Sequence, residues 1–260
     1  MGERTSYEPG TFSWADLSTP DQEAAKTFYS ELFGWTANDM PAGEGVTYSM
    51  MQLDGREAAA VAPQPEQQRQ AGAPPMWNSY VTVESADVAA ERASQLGATV
   101  HAPPFDVMEA GRMSVIQDPQ GAFFMVWEPR QTIGARVVNA PGALAWNELA
   151  TTDVDGAAAF YGELFGWTMQ PFEAAVAQGY QVIQNKGRGN GGIREMAEGE
   201  PVPYWLVYFG VEGIDGSLSK AEELGGTRLM GPADIGVAKI AMAQDPHGAA
   251  FAIYDGQFED

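Results

Sequence analysis

The chain contains no cysteine and only two histidines, His101 and His247, in 260 residues. The first absence removes disulfides, thiolate nucleophiles and cysteine-ligated zinc or iron–sulfur centres together. The second leaves little for a histidine-based metal site or a histidine-containing catalytic triad. Basic residues are scarce as well: 14 Lys+Arg stand against 35 Asp+Glu, a formal net charge of −21. Such a field repels nucleic acid and anionic lipid, and no basic stripe exists to neutralise phosphates, so neither nucleic acid nor membrane is expected as a partner. No apolar run approaches the ~18 residues of a spanning helix, and the opening residues lack the apolar stretch of a secretory signal; a cytoplasmic location is the expectation. What the chain does have is core material, with 45% apolar and 11% aromatic residues against 19% charged. That balance belongs to a folded globular protein.

The sequence repeats itself. Phe12 to Thr36, FSWADLSTPDQEAAKTFYSELFGWT, returns at Leu144 to Thr168 as LAWNELATTDVDGAAAFYGELFGWT. Tyr48 answers Tyr180, Trp77 and Tyr80 answer Trp205 and Tyr208, and QDPQG at Gln117–Gly121 answers QDPHG at Gln244–Gly248. The chain is a tandem duplication. Each half divides again. A strand at Phe12–Thr19 runs into a helix for which Thr19, Pro20 and Gln22 supply starting signals and Gly34 a stop. Short strands follow, then a Pro/Gln/Gly-rich linker at Pro63–Pro75, then a second strand–helix–strands set with a helix over Ala86–Leu96. The reading is α+β: four βαβββ modules, near 12–62, 77–128, 144–195 and 204–255, grouped into domains at 1–130 and 140–260.

Strand, Asp, Ala-x-x-Phe-Tyr, Leu-Phe-Gly-Trp and a later Asp-Pro-x-Gly, each occurring twice, resemble the vicinal oxygen chelate superfamily of glyoxalases, bleomycin-resistance proteins and extradiol dioxygenases, in its two-domain actinobacterial form. The resemblance covers about residues 12 to 255 and implies two half-open barrels, each around a cavity. It also implies metal-ligand positions, which fall on Trp14, Asn78 and Met125 in the first half and Trp146, Leu206 and Ala252 in the second. Indole nitrogen has no lone pair for a cation, and no His/His/Glu set is present, so no metal and no other cofactor is expected. His101 and His247 read as packed or solvated side chains, the latter in a turn whose side chain ordinarily faces water.

Strand alternation puts Phe12, Trp14 and Asp16 on one face, and Phe123, Met125 and Trp127 on one face of the last strand of that half. In the second half Trp146, Glu148 and Tyr254 take the corresponding places. Aromatic and methionine walls around one carboxylate suit a flat apolar ligand; the alternative is that these side chains simply fill a collapsed barrel. Tyr48, Tyr180, Asn78 and Arg112 are further candidates to touch a ligand, Arg112 being equally a surface charge, and Phe105 lies in a Pro103–Met108 segment expected to loop over the cavity mouth. Two functions fit. One is a metal-free binding protein, monomeric or homodimeric, for an aromatic natural product or antibiotic. The other is a metal-independent enzyme acting on an aromatic polyketide-like substrate, with Asp16 or Glu148 as acid/base.

Overall fold

The structure, a computed structural model, describes residues 2–43, 45–172 and 179–258. After β1 (Gly2–Glu3), the first module is β2 (Phe12–Thr19), α1 (Gln22–Phe33), β3 (Thr36–Pro41), β4 (Thr47–Leu53) and β5 (Arg56–Pro63). A short helix α2 (Glu66–Gln70) leads to the second: β6 (Met76–Thr82), α3 (Ala86–Gln95), β7 (Thr99–Val107), β8 (Gly111–Gln117) and β9 (Phe123–Pro129). After β10 (Val137–Val138), the pattern recurs as β11 (Leu144–Thr151), α4 (Val154–Phe165), β12 (Thr168–Pro171), β13 (Gln181–Asn185) and β14 (Arg188–Glu195). It ends with β15 (Tyr204–Gly210), α5 (Ile214–Glu223), β16 (Thr227–Asp234), β17 (Ala238–Gln244) and β18 (Ala250–Gly256).

The first two modules make one sheet in the order β3-β4-β5-β2-β6-β9-β8-β7, and the last two repeat it as β12-β13-β14-β11-β15-β18-β17-β16, with β10 and β1 appended. The fold is α+β with two open, curved sheets. Modules therefore pair within a half, and each sheet ends on two edge strands that do not pair with each other among the described residues. The chain's start, β1, is laid antiparallel on β10 and belongs to the second sheet.

Local chemistry explains the helices, with one change from expectation. α1 starts two residues past Pro20, at Gln22: Asp21 is the N-cap, its carboxylate accepting from the Ala24 amide, and Asp153 caps α4 in the same way through Gly156. Gln22 does not complete a capping box. Its side-chain amide instead donates to Thr47 O, Ser49 Oγ and Val61 O, tying α1 to β4 and β5. Gly34 and Gly166 end the helices with φ of 74° each, a left-handed conformation that costs glycine nothing.

The repeated aromatic motif holds the two halves together. Phe28, Tyr29 and Phe33 of α1 pack on Phe251 of the opposite sheet, with ring centroids 5.6 to 6.1 Å apart. Tyr29 donates to Asp245 Oδ2 at 3.2 Å, and Trp77 Nε1 donates to Tyr29 at 3.0 Å. The reciprocal set is Tyr161 to Asp118 Oδ2 at 2.9 Å and Trp205 Nε1 to Tyr161 at 2.9 Å. Asp118 Oδ1 also accepts three amides of its own turn, from Gln120, Gly121 and Ala122. Burial pushes the Asp118 carboxyl upward against these hydrogen bonds, and pushes Tyr29 and Tyr161 well above the usual phenol range. This packing also corrects the expectation for His247. Its turn is pressed against the other half through Asp245 and Tyr29, and His247 Nε2 is buried without a hydrogen-bond partner among the described residues.

Candidate functional site

β2 forms the floor of the first concave face, and it carries a bulge between Phe12 and Trp14, as β11 does between Leu144 and Trp146. The extra residue breaks the two-residue alternation. Phe12 therefore leaves the face expected for it and lies in the joint between halves, 5.4 Å from Trp167 and 4.9 Å from Trp205. Trp14 and Asp16 remain on the concave side, Trp14 clustered with Met50, Tyr80, Met125 and Trp127 and with the half-buried Tyr48, Met113 and Val115.

Asp16 is the centre of this floor. Asn78 Nδ2 donates to its Oδ1 at 2.8 Å, and Tyr80 and Tyr48 donate to its Oδ2 at 2.7 and 3.0 Å. Trp14 Nε1 in turn donates to the Tyr48 hydroxyl at 2.9 Å. Burial raises the Asp16 carboxyl above the ordinary aspartate range, opposed by the hydrogen bonds from Asn78, Tyr80 and Tyr48. The same burial, together with the Asp16 charge, lifts both tyrosines well above theirs. Each partner lies on a different strand: Trp14 and Asp16 on β2, Tyr48 on β4, Asn78 and Tyr80 on β6. The register that places Asp16 opposite Asn78 and Trp14 opposite Tyr80 is what brings them together.

The second half rebuilds most of this set. Trp146 Nε1 donates to Tyr180 at 2.9 Å, Tyr180 hydrogen-bonds Glu148, and Tyr208 donates to Glu148 Oε2 at 2.9 Å. Gly192, opposite Glu148 on β14, leaves room for the Tyr180 hydroxyl, which a Cβ there would strike. The difference is Arg194. Its Nε donates to Glu148 Oε1 at 2.7 Å, and its terminal nitrogens donate to Glu200 at 2.8 and 2.7 Å and to Tyr204 at 3.2 Å. Burial works against charge at Glu200, but Arg194, Tyr204 and the Ala197 amide overcome it and hold the carboxyl down at about 2. Arg194 was not visible as a site residue in the sequence, because its counterpart by position in the first half is Ala62 and nothing recurred to mark it.

Other candidates distribute as follows. Phe123 shares the face of Met125 and Trp127 and packs at a tilt against His101, ring centroids 4.8 Å apart. Phe105 is not in a loop: Pro103–Val107 continues the bulged edge strand β7, and Phe105 lies opposite Met113, 44% exposed at the rim. Tyr254 lies among Trp146, Tyr204, Tyr208 and Met242 on the second concave face. Arg112 does not join the Asp16 cluster. Gly111 and Arg112 begin β8 with Arg112 turned toward α3, where it forms a two-bond pair with Asp87 at 2.7 and 2.9 Å and a third bond to Asp106.

The positions that would carry a metal are occupied by chemistry that does not fit one. Trp14 and Asn78 are both engaged as donors, Met125 is a soft thioether, and Leu206 and Ala252 offer no donor atom. Among the described residues, no group of three or more His, Asp or Glu side chains gathers elsewhere.

Comparison with known proteins agrees with this architecture. Residues 11–126 match the model of the Glyoxalase/Bleomycin resistance protein/Dioxygenase superfamily. CFP32 of Mycobacterium bovis, provisionally named a glyoxylase, is 42% identical over 97% of this chain and 97% of its own. DnrV of Streptomyces peucetius, an anthracycline biosynthesis protein, is 35% identical over 96% and 95%. Among solved structures, a Mn(II)-bound glyoxalase from Novosphingobium aromaticivorans superposes with a TM-score of 0.64 at 14% identity, covering 97% of this chain and 85% of that one. The 2,3-dioxygenase LapB of Pseudomonas sp. KL28 does so with 0.64 at 14%, covering 98% and 96%. The duplicated motifs, the two open sheets and the near full-length relatives together make this chain a member of the glyoxalase/bleomycin resistance/dioxygenase superfamily.

Proposed function

We propose that the chain binds a flat, largely apolar small molecule, an aromatic natural product or antibiotic, without recruiting a metal. The observation that carries this reading is the replacement of the metal-ligand positions by a hydrogen-bonded aromatic floor, Trp14–Tyr48–Asp16–Tyr80, beneath walls of Met50, Met113, Met125 and Trp127. Aromatic rings supply stacking area and methionine adapts to the ligand's outline. The edge strands and turns flanking the opening are apolar and exposed at Met40, Val46, Phe105 and Met108, which favours an apolar molecule entering there. A relative named for anthracycline biosynthesis supports a polycyclic aromatic as the ligand class. The net charge of −21 favours neutral or cationic ligands over anionic ones.

An enzymatic reading rests on Asp16. A carboxyl held above its usual range by burial, next to two phenols, is placed to donate or accept a proton on a bound aromatic ketone or phenol. Titration of intrinsic tryptophan fluorescence with anthraquinone, on protein stripped with chelator, tests the binding reading: saturable quenching is expected, unaffected by added divalent cations. Quenching that appears only with a divalent cation, in stoichiometric amount, would overturn it.

A further inference from the structure

The two concave faces share a carboxylate but not its surroundings. On β11, Ala150 lies between Arg194 of β14 and Tyr204 of β15. Arg194 spans from Glu148 to Glu200, and Tyr204 donates to Glu200 at 2.6 Å. Every charged group in this subsite is satisfied by another residue of the same half.

The first half has none of this filling. Ser18 occupies the place of Ala150, between Ala62 of β5 and Met76 of β6. Its residue is 8% exposed, and its Oγ is buried with no hydrogen-bond partner among the described residues. A buried hydroxyl without a partner is costly, and one retained in a fold calls for a reason. Two residues back on the same strand face is Asp16, whose two oxygens offer about four acceptor positions. Three are used, by Asn78, Tyr80 and Tyr48, and Oδ1 carries only one of these bonds. Among the described residues the first half thus holds, about 7 Å apart along one strand face, one buried acceptor position and one buried hydroxyl whose hydrogen-bonding capacity is unfilled. A single hydroxyl making two hydrogen bonds of about 2.8 Å bridges them once both side chains lean inward and the flexible Met76 turns aside. Ala62 and Met76 flank Ser18 on the neighbouring strands.

Resting on the binding function proposed above, we infer that the chain holds one ligand, in the first half only, and that this ligand is a hydroxylated polycyclic aromatic. Its phenolic hydroxyl donates to Asp16 Oδ1 and accepts from Ser18. The second half has closed its own subsite with Arg194, Glu200 and Tyr204.

Calorimetric titration of the full chain with anthraquinone and with 2-hydroxyanthraquinone, at slightly acid pH where the phenol keeps its proton, tests this. One equivalent per chain is expected, with the hydroxylated quinone about tenfold tighter. Ser18→Ala should abolish that preference while keeping anthraquinone binding, and Asp16→Asn should weaken it, each checked for an unchanged circular dichroism spectrum. Glu200→Gln should leave the preference intact. Two equivalents per chain, a preference that survives Ser18→Ala, or one that is lost in Glu200→Gln overturns the assignment to the first half while leaving the binding function standing. Binding of neither quinone overturns both.

Discussion

Asp16 and Glu148 occupy the same position of a duplicated strand, yet one works without a cation and the other with one. Because burial holds the Asp16 carboxyl above its ordinary range, the folded protein keeps a proton that the unfolded chain gives up. The resulting stabilisation is complete below the unfolded pKa, near 4, and is lost as pH rises through the folded value. Asp16→Asn removes this dependence. Urea unfolding at a series of pH values from about 4 upward should show wild type losing ground to the variant as pH rises; a constant difference would contradict it. Glu148 is instead paired with a cation, Arg194. With Arg194 removed, a buried carboxylate is left without its cation, so Arg194→Ala should cost about 3–5 kcal/mol, and a Glu148→Gln/Arg194→Met pair considerably less. Chemical denaturation of the three proteins checks this. The recurrence of Asp16, Glu148, Tyr48 and Tyr180 was legible in the sequence because duplication marked them. Arg194 and Ser18 were not, since each stands opposite an alanine in the other half.

At the scale of elements, the repeated helix motif is readable as an amphipathic helix with a glycine stop, but its purpose is not. Tyr29 and Tyr161 look like ordinary core positions at helical spacing. In the fold each meets an aspartate of the opposite half's Asp-Pro-x-Gly turn and a tryptophan donor of its own half. Tyr29→Phe keeps the ring and strands both Asp245 Oδ2 and Trp77 Nε1, so a loss of about 1–3 kcal/mol in unfolding free energy is expected, with Tyr161→Phe alike. Strand faces were likewise readable except at the bulge. Alternation places Phe12 with Trp14, and one inserted residue sends Phe12 to Trp167 and Trp205 instead. A bulge carries no composition of its own here, so periodicity alone misassigns the residue before it.

At the scale of the molecule, the halves are joined by reciprocal packing of α1 and α4 and by one apolar cluster that runs from Trp14 through Phe28 and Tyr29 to Phe209 and Phe251. A fragment of residues 1–131 would expose Phe28, Tyr29, Phe33 and Trp35 while retaining its own Asp118 turn. It is therefore expected to self-associate, Tyr29 of each copy taking the Asp118 turn of the other, and sedimentation should show a dimer or larger species. A folded, monomeric fragment would show that the joint is dispensable.

The four modules, the α+β class, the family and the unsuitability of the metal positions follow from the sequence by itself, because each depends on which residue types recur and at what spacing. Tertiary structure alone decided that modules pair within a half, that the recurring motifs serve the joint between halves, and that the two carboxylates have different electrostatic surroundings. Those properties arise from contacts between residues more than a hundred positions apart or on neighbouring strands, as Tyr29 with Asp245 or Arg194 with Glu148. No local pattern encodes such partners, since their energies exist only once the backbone has brought them within hydrogen-bonding distance.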